Sequence, residues 1–245
     1  MSKVLTIWRR EMAACFLSPV SYVTFVAFLS VGGFTFWHLA VENTGQPEPL
    51  SVFLVESIVI WLPIMVTVVA MRLFVDEKRS GTIETLMTAP VTDAQVVLGK
   101  YLGAISFLVF VIAPAFLYVF VFERLSPTIH LGNMDLGALV GGAIILALIT
   151  ATLLAVAMVV SLLTRSQIIS VICTFVAIWL VLLFGWLMGT IPGVDDELVE
   201  HLSFLKHAEQ FARGSIVGGP IVLYVSLIAL MLFIAVRVLE SRHWR

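Results

Sequence analysis

Six apolar runs, each long enough to cross a bilayer, leave this chain few ways to fold. A helix needs about 20 apolar residues to span the hydrocarbon, where every backbone N–H and C=O must be satisfied within the segment. Runs of that kind fall at roughly 20–40, 52–73, 98–122, 136–163, 168–191 and 219–238. They predict an all-α integral membrane protein with six transmembrane helices. Composition agrees, since 60% of residues are hydrophobic and 12% charged, about half the charge of a soluble domain. A net charge of −2 supplies no basic field for nucleic acid, so the expected surroundings are membrane lipid. The natural organisation is one transmembrane domain over residues 1–245.

Residues 1–18 precede the first run and predict an interfacial helix over 2–17. Val4, Leu5, Trp8, Met12, Cys15 and Phe16 share one side at helical spacing, with Lys3, Thr6, Arg9 and Arg10 on the other. A basic helix with one apolar side lies in the membrane interface. Lys and Arg also set the orientation. With both termini cytoplasmic, only Arg124, Lys206 and Arg213 of the 14 basic residues fall outside. The expectation is a multi-pass protein of the cytoplasmic (inner) membrane, both ends inside.

Two connections exceed simple turns. The cytoplasmic one, 74–95, predicts a short helix from Gly81 to Ala89 stopped by Pro90. Thr92-x-x-Gln95 is then a capping box just before the third apolar run. The extracytoplasmic one, 192–217, carries Leu198, Leu202, Leu205, Ala208 and Ala212 at helical spacing. It is too charged to cross a bilayer, so it predicts a helix lying in the outer interface, capped by Asp195 or Asp196 and ended at Gly214. Leu202, Leu205 and Phe211 should be buried against the spans or lipid, with Glu200 and Glu209 facing water.

Several chemistries are excluded on spacing. Gly99-Lys100 is followed by Tyr101, without the earlier glycine and the hydroxyl of a phosphate-cradling loop. The chain should therefore bind no ATP and hydrolyse none. The five histidines show no metal-binding spacing, so neither a metal site nor catalytic residues are expected. Pro63 and Pro114 lie within spans, where proline kinks or breaks a helix. Gly99/Gly103, Gly137/Gly141 and Gly185/Gly189 have the spacing that lets helices approach closely, here read as packing within one chain.

The residues Asp76-Glu77-Lys78-Arg79-x-Gly81-Thr82-Ile83-Glu84-x-Leu86-x-x-x-Pro90, followed by Gly99-Lys100, resemble the ABC-2 (type-2 ABC exporter) permeases. The likeness extends to the interfacial helix, the six spans and the long final outer loop. Ser203-x-x-x-His207-x-x-x-Phe211-x-x-Gly214 and the ending Leu239-Glu240-Ser241-Arg242-His243-Trp244-Arg245 are similar to the gliding-motility-associated, GldF-like branch. Permeases of copper-dependent nitrous oxide reductase maturation share the plan, and a scaffold without transport is the competing class. The resemblance implies a membrane subunit coupling ATP hydrolysis elsewhere to export or mechanotransmission. It implies two ABC ATPase chains binding ATP and Mg, a second permease copy or a related permease, and room for an extracytoplasmic accessory subunit. Glu77, Arg79, Gly81, Thr82, Ile83, Glu84, Leu86, Met87 and Pro90 would dock on the ATPase. Leu198, Leu202, Leu205, His207, Phe211 and Gly214 would form an outer gate.

Overall fold

The computed structural model describes residues 3–43, 48–75, 92–125, 135–164, 166–192 and 195–241. Among these the chain is all-α, and six helices or helix pairs are long and apolar enough to cross a membrane. Helix α1 (Lys3–Phe16) comes first, and Ser18-Pro19 turns the chain into α2 (Pro19–Glu42), whose first residue is a proline with φ already suited to a helix. Then follow α3 (Leu50–Leu73), α4 (Asp93–Ile112), a 3₁₀ turn (Ala113–Phe116), α5 (Leu117–Leu125), α6 (Leu136–Leu163) and α7 (Gln167–Gly189). Two short helices, α8 (Asp196–Leu202) and α9 (Phe204–Ala212), precede α10 (Gly218–Glu240).

Local chemistry explains the boundaries. The Thr92 hydroxyl accepts from the Gln95 N–H and the Gln95 side chain accepts from the Thr92 N–H, both at 3.3 Å. This box opens α4 itself, so the third span begins at Asp93, five residues before the apolar run. Pro114 lacks an N–H and crowds the preceding turn, and there α4 gives way to the 3₁₀ turn. Asp135 starts α6 by accepting the Gly137 N–H at 2.8 Å.

Helices α3 and α6 form the centre. Of its most apolar stretch α3 buries 72% and α6 56%, against 11% for α10. Leu54, Ile58, Leu62 and Val66 of α3 meet Ile145, Ile149, Leu153 and Met158 of α6 in one core. Helices α4, α7, α9 and α10 also pack on α6. Inside a bilayer such packing rests on close contact and interhelical hydrogen bonds rather than on exclusion of water. Tyr101 of α4 supplies one, donating to the Ala151 carbonyl of α6 at 2.9 Å. Exposed apolar side chains such as Phe34, Ile172, Val222 and Phe233 turn outward and suit lipid.

The six crossings put α1 and the end of α10 at one end of the bundle and α8 and α9 at the other. Helix α1 lies along the start of α4 on the expected face, with Val4, Trp8, Met12, Cys15 and Phe16 half-buried, Leu5 left out and Ile7 added. Ile7, Met12, Cys15 and Phe16 pack on the core, while Leu5 stays 43% exposed. Glu11 completes this face, because it has a partner there.

Candidate functional site

That partner is Lys100. Its Nζ lies 3.1 Å from Glu11 Oε1, with the lysine side chain 2% exposed and the glutamate 13%. The Lys100 ammonium also stands 5.2 Å from the centre of the Phe74 ring. Gly99 and Gly103 make the approach possible. A Cβ on Gly99 would stand 2.7 Å from Ile7 Cβ, and one on Gly103 2.6 Å from Glu11 Cβ. The Trp8 indole N–H donates to Ser106 at 3.1 Å, and Arg72 donates to Ser18 in the bend after α1. Burial, then Glu11, push the Cys15 thiol up to about 11, so at neutral pH it packs as an apolar group. Helices α1, α3 and α4 thus meet where α3 ends and α4 begins. Glu77, Arg79, Gly81, Thr82, Ile83, Glu84, Leu86, Met87, Pro90 and the helix expected over 81–89 lie between them, outside the described residues.

At the other end, the helix expected over the outer loop is broken in two. Ser203 interrupts it in an extended conformation, and its hydroxyl accepts the Lys206 N–H at 3.4 Å to start α9. Asp195 sits at the start of α8, but its side chain makes no capping bond. Helix α9 ends as expected from Gly214. That residue has φ +85°, and the N–H groups of Gly214 and Ser215 bond to the Phe211 and Gln210 carbonyls at 2.9 and 3.1 Å.

The break changes which side of the segment meets the spans. Phe204, His207, Ala208, Phe211 and Ala212 are buried, at positions i, i+3, i+4, i+7 and i+8. Of the residues expected in the gate, His207 and Phe211 are on this face. Leu202 is half-buried, Leu198 and Leu205 are exposed, and Gly214 forms the turn. Glu200 and Glu209 face outward as anticipated. Two glycines take the ends of α9 against backbone. A Cβ on Gly185 of α7 would stand 2.4 Å from Ser203 Cα, and one on Gly141 of α6 2.3 Å from the Phe211 carbonyl oxygen. Ser51 of α3 donates to the Ala212 carbonyl. Phe204 and Tyr224 of α10 were not foreseen. Their rings meet edge to face at 4.9 Å, and Tyr224 Oη lies 3.2 Å from His207 Nδ1. Counting the helical stripe from Ser203 instead of Asp195 would have found Phe204.

Between α3, α7 and α9 opens a cleft of about 490 Å³. Val55, Val59, Trp179 and Leu182 line its depth, and Leu205 forms part of its outer wall. Arg213 sits at the rim, 3.0 Å from Glu48 and 2.6 Å from Glu209.

The comparisons with known proteins fit this arrangement. The family model described as ABC-2 family transporter protein matches residues 17–181, more than half of the 245. The chain belongs to the ABC-2 transporter family. It is a multi-pass membrane protein of that family, whose members work with an ABC ATPase. No curated protein matches it. The family match ends within α7, so α8, α9 and α10 of this ABC-2 protein lie beyond the matched residues.

The His207–Tyr224 contact carries a prediction. Burial, with a smaller push from His201, holds the His207 pKa below its ordinary 6.5, while Glu200 acts the other way. The unfolded state therefore binds the proton first. The stability lent by neutral His207 is complete above pH 6.5 and is lost as pH falls below it. Thermal stability in detergent should fall as pH drops below 6.5. His207→Gln should flatten that slope, and equal slopes in both proteins would show that His207 does not titrate there. Tyr224→Phe should cost about 1 kcal/mol at neutral pH by removing the hydroxyl partner.

Proposed function

We propose that this chain is the permease subunit of an ABC exporter or mechanotransmitting complex, and that it holds no ATPase of its own. Both termini would be cytoplasmic, with α8 and α9 on the outer face of the inner membrane. Two ATPase chains would bind ATP and Mg beneath a pair of permeases, either two copies of this chain or one with a related permease. Residues 77–90 would dock on the ATPase, with Ile83, Leu86 and Met87 as apolar anchors and Arg79 and Glu84 as charged ones. The whole chain would act as one permease domain.

The observation that carries this reading is the continuity of α3. At one end it runs into Phe74, beneath Lys100 and beside the segment that would dock. At the other, Ser51 holds the last residue of α9. Movement of residues 77–90 would therefore act on α3 and α4 together, and α3 would carry it to the outer pair. The gliding-motility-associated branch is the preferred subfamily. Ser203, His207, Phe211 and Gly214, which carry that likeness, are respectively the cap, two buried contacts and the terminating turn of α9.

Co-purification tests it. The chain alone should turn over no ATP and should gain that activity only with a separate subunit. Glu84→Lys and Gly81→Pro should each uncouple or release the ATPase while membrane insertion is retained, since losing one partner of a buried interfacial pair costs about 2–5 kcal/mol. Unchanged pull-down and unchanged ATPase stimulation in both variants would overturn the docking assignment. Membrane insertion with no ATPase partner at all would favour a scaffold.

A further inference from the structure

One charged side chain in the outer cleft remains unaccounted for by packing. Glu56 stands on α3 six residues after Leu50, which is about 9 Å further along the helix axis. It lines the cleft and has no hydrogen-bond or ion-pair partner among the described residues. Acidic groups inside spans are expensive, and those present generally face a cavity and serve a bound group. Around Glu56 the walls are apolar: Val55, Val59 and Ile60 from α3, Trp179 and Leu183 from α7, and Leu205 from α9. The two other carboxylates of the cleft, Glu48 and Glu209, are already engaged by Arg213.

We propose that this cleft binds an amphiphile whose charged end is an ammonium group, with Glu56 holding the ammonium and the apolar walls holding the chain. Four features point to that class. The volume of about 490 Å³ falls within the range of small-molecule sites, roughly 300–1,000 Å³. The carboxylate free to form a new pair is exposed to the cleft, six residues into α3. Trp179 offers an aromatic ring, the preferred surface for an ammonium. Ile60, 38% exposed, leaves α3 open beside the cleft, so a chain can enter sideways from lipid. Lys206 also lines the cleft, with no ion-pair partner among the described residues. Both side chains are exposed, Lys206 on α9 and Glu56 six residues into α3.

The test uses the full chain in nanodiscs and needs no ATPase, so its failure would leave the permease reading intact. Two photoreactive probes of equal length are compared, a dodecylammonium and a dodecyl sulfate, each with a diazirine on the chain. The ammonium probe should label peptides containing Trp179, Leu183 and Leu205 saturably, and the sulfate probe should not. Glu56→Gln should weaken ammonium labelling about tenfold, the loss of one charged contact, while Lys206→Gln should leave it equal or stronger. Each variant is first shown to keep the wild-type elution profile and helical content, and Glu56→Asp should recover part of the labelling. Equal labelling by both headgroups would overturn the proposal. So would undiminished labelling in Glu56→Gln, or sulfate labelling that Lys206→Gln abolishes.

Discussion

Gly141→Ala is expected to destabilise this protein, although alanine in place of glycine normally favours a helix by about 0.5–1 kcal/mol. The added Cβ would lie 2.3 Å from the Phe211 carbonyl oxygen and 3.2 Å from its carbon. These are backbone atoms and cannot rotate away, so α9 must move or α6 must bend. Overpacking of this kind costs about 1–3 kcal/mol. Gly185→Ala should behave alike, because its Cβ would meet Ser203 at Cα, Cβ and N. The two substitutions displace opposite ends of α9 and should both widen the cleft beside it. Gly32 provides the control. It also lies within a spanning helix, but a Cβ there meets nothing within 4 Å, so Gly32→Ala should leave stability unchanged or raise it. At about 2–4 °C per kcal/mol for a chain of this size, melting in detergent resolves the difference in sign. Shifts in the same direction for Gly141→Ala and Gly32→Ala would show that α9 is not held as described.

Those glycines also mark how far the sequence could be read. The three Gly-x-x-x-Gly pairs announced close approaches within the chain, but spacing alone does not name the partner. Gly99 and Gly103 receive α1, Gly185 and Gly189 receive Ser203 and Val199, and Gly141 receives Phe211. In each case the partner belongs to a short helix or to its cap rather than to another span. The spans themselves were legible because hydrocarbon thickness fixes their length, and α6 matched its apolar run at both ends since Asp135 caps it. The split at Ser203 was not. Leu198, Leu202 and Leu205 form a stripe that one continuous helix would satisfy, and no proline or glycine marks the break. What decides it is tertiary: the backbone of Ser203 lies against Gly185. Glu11 and Glu56 were passed over for a related reason. Charge read along a sequence carries no account of a partner, whether that partner is present, as Lys100 is for Glu11, or absent among the described residues, as for Glu56.

The Lys100–Glu11 pair has the largest expected effect of any single side chain here. Lys100 is 2% exposed and Glu11 13%, so neither charge can turn fully to water while α1 stays in place. Lys100→Met leaves the Glu11 carboxylate enclosed against α4, and breaking one side of a buried pair costs about 3–5 kcal/mol. The protein can relieve that cost by lifting α1, which would also loosen Ile7 from Gly99 and Trp8 from Ser106. The variant should still insert, because the six spans are untouched, but α1 should become sensitive to protease at its exposed Arg9 and Arg10. Since the lysine also lies over Phe74, where α3 ends, stimulation of a partner ATPase should fall with it. Adding Glu11→Leu separates the causes. An apolar pair of similar size commonly replaces a buried ion pair at little cost, so the double variant should regain most of the stability and most of the protease resistance. A Lys100→Met protein that melts and resists protease like the wild type would show that α1 is held by its apolar contacts alone. A double variant no better than the single one would place the loss in the lysine's other contacts, the one with Phe74 among them, rather than in its pair with Glu11.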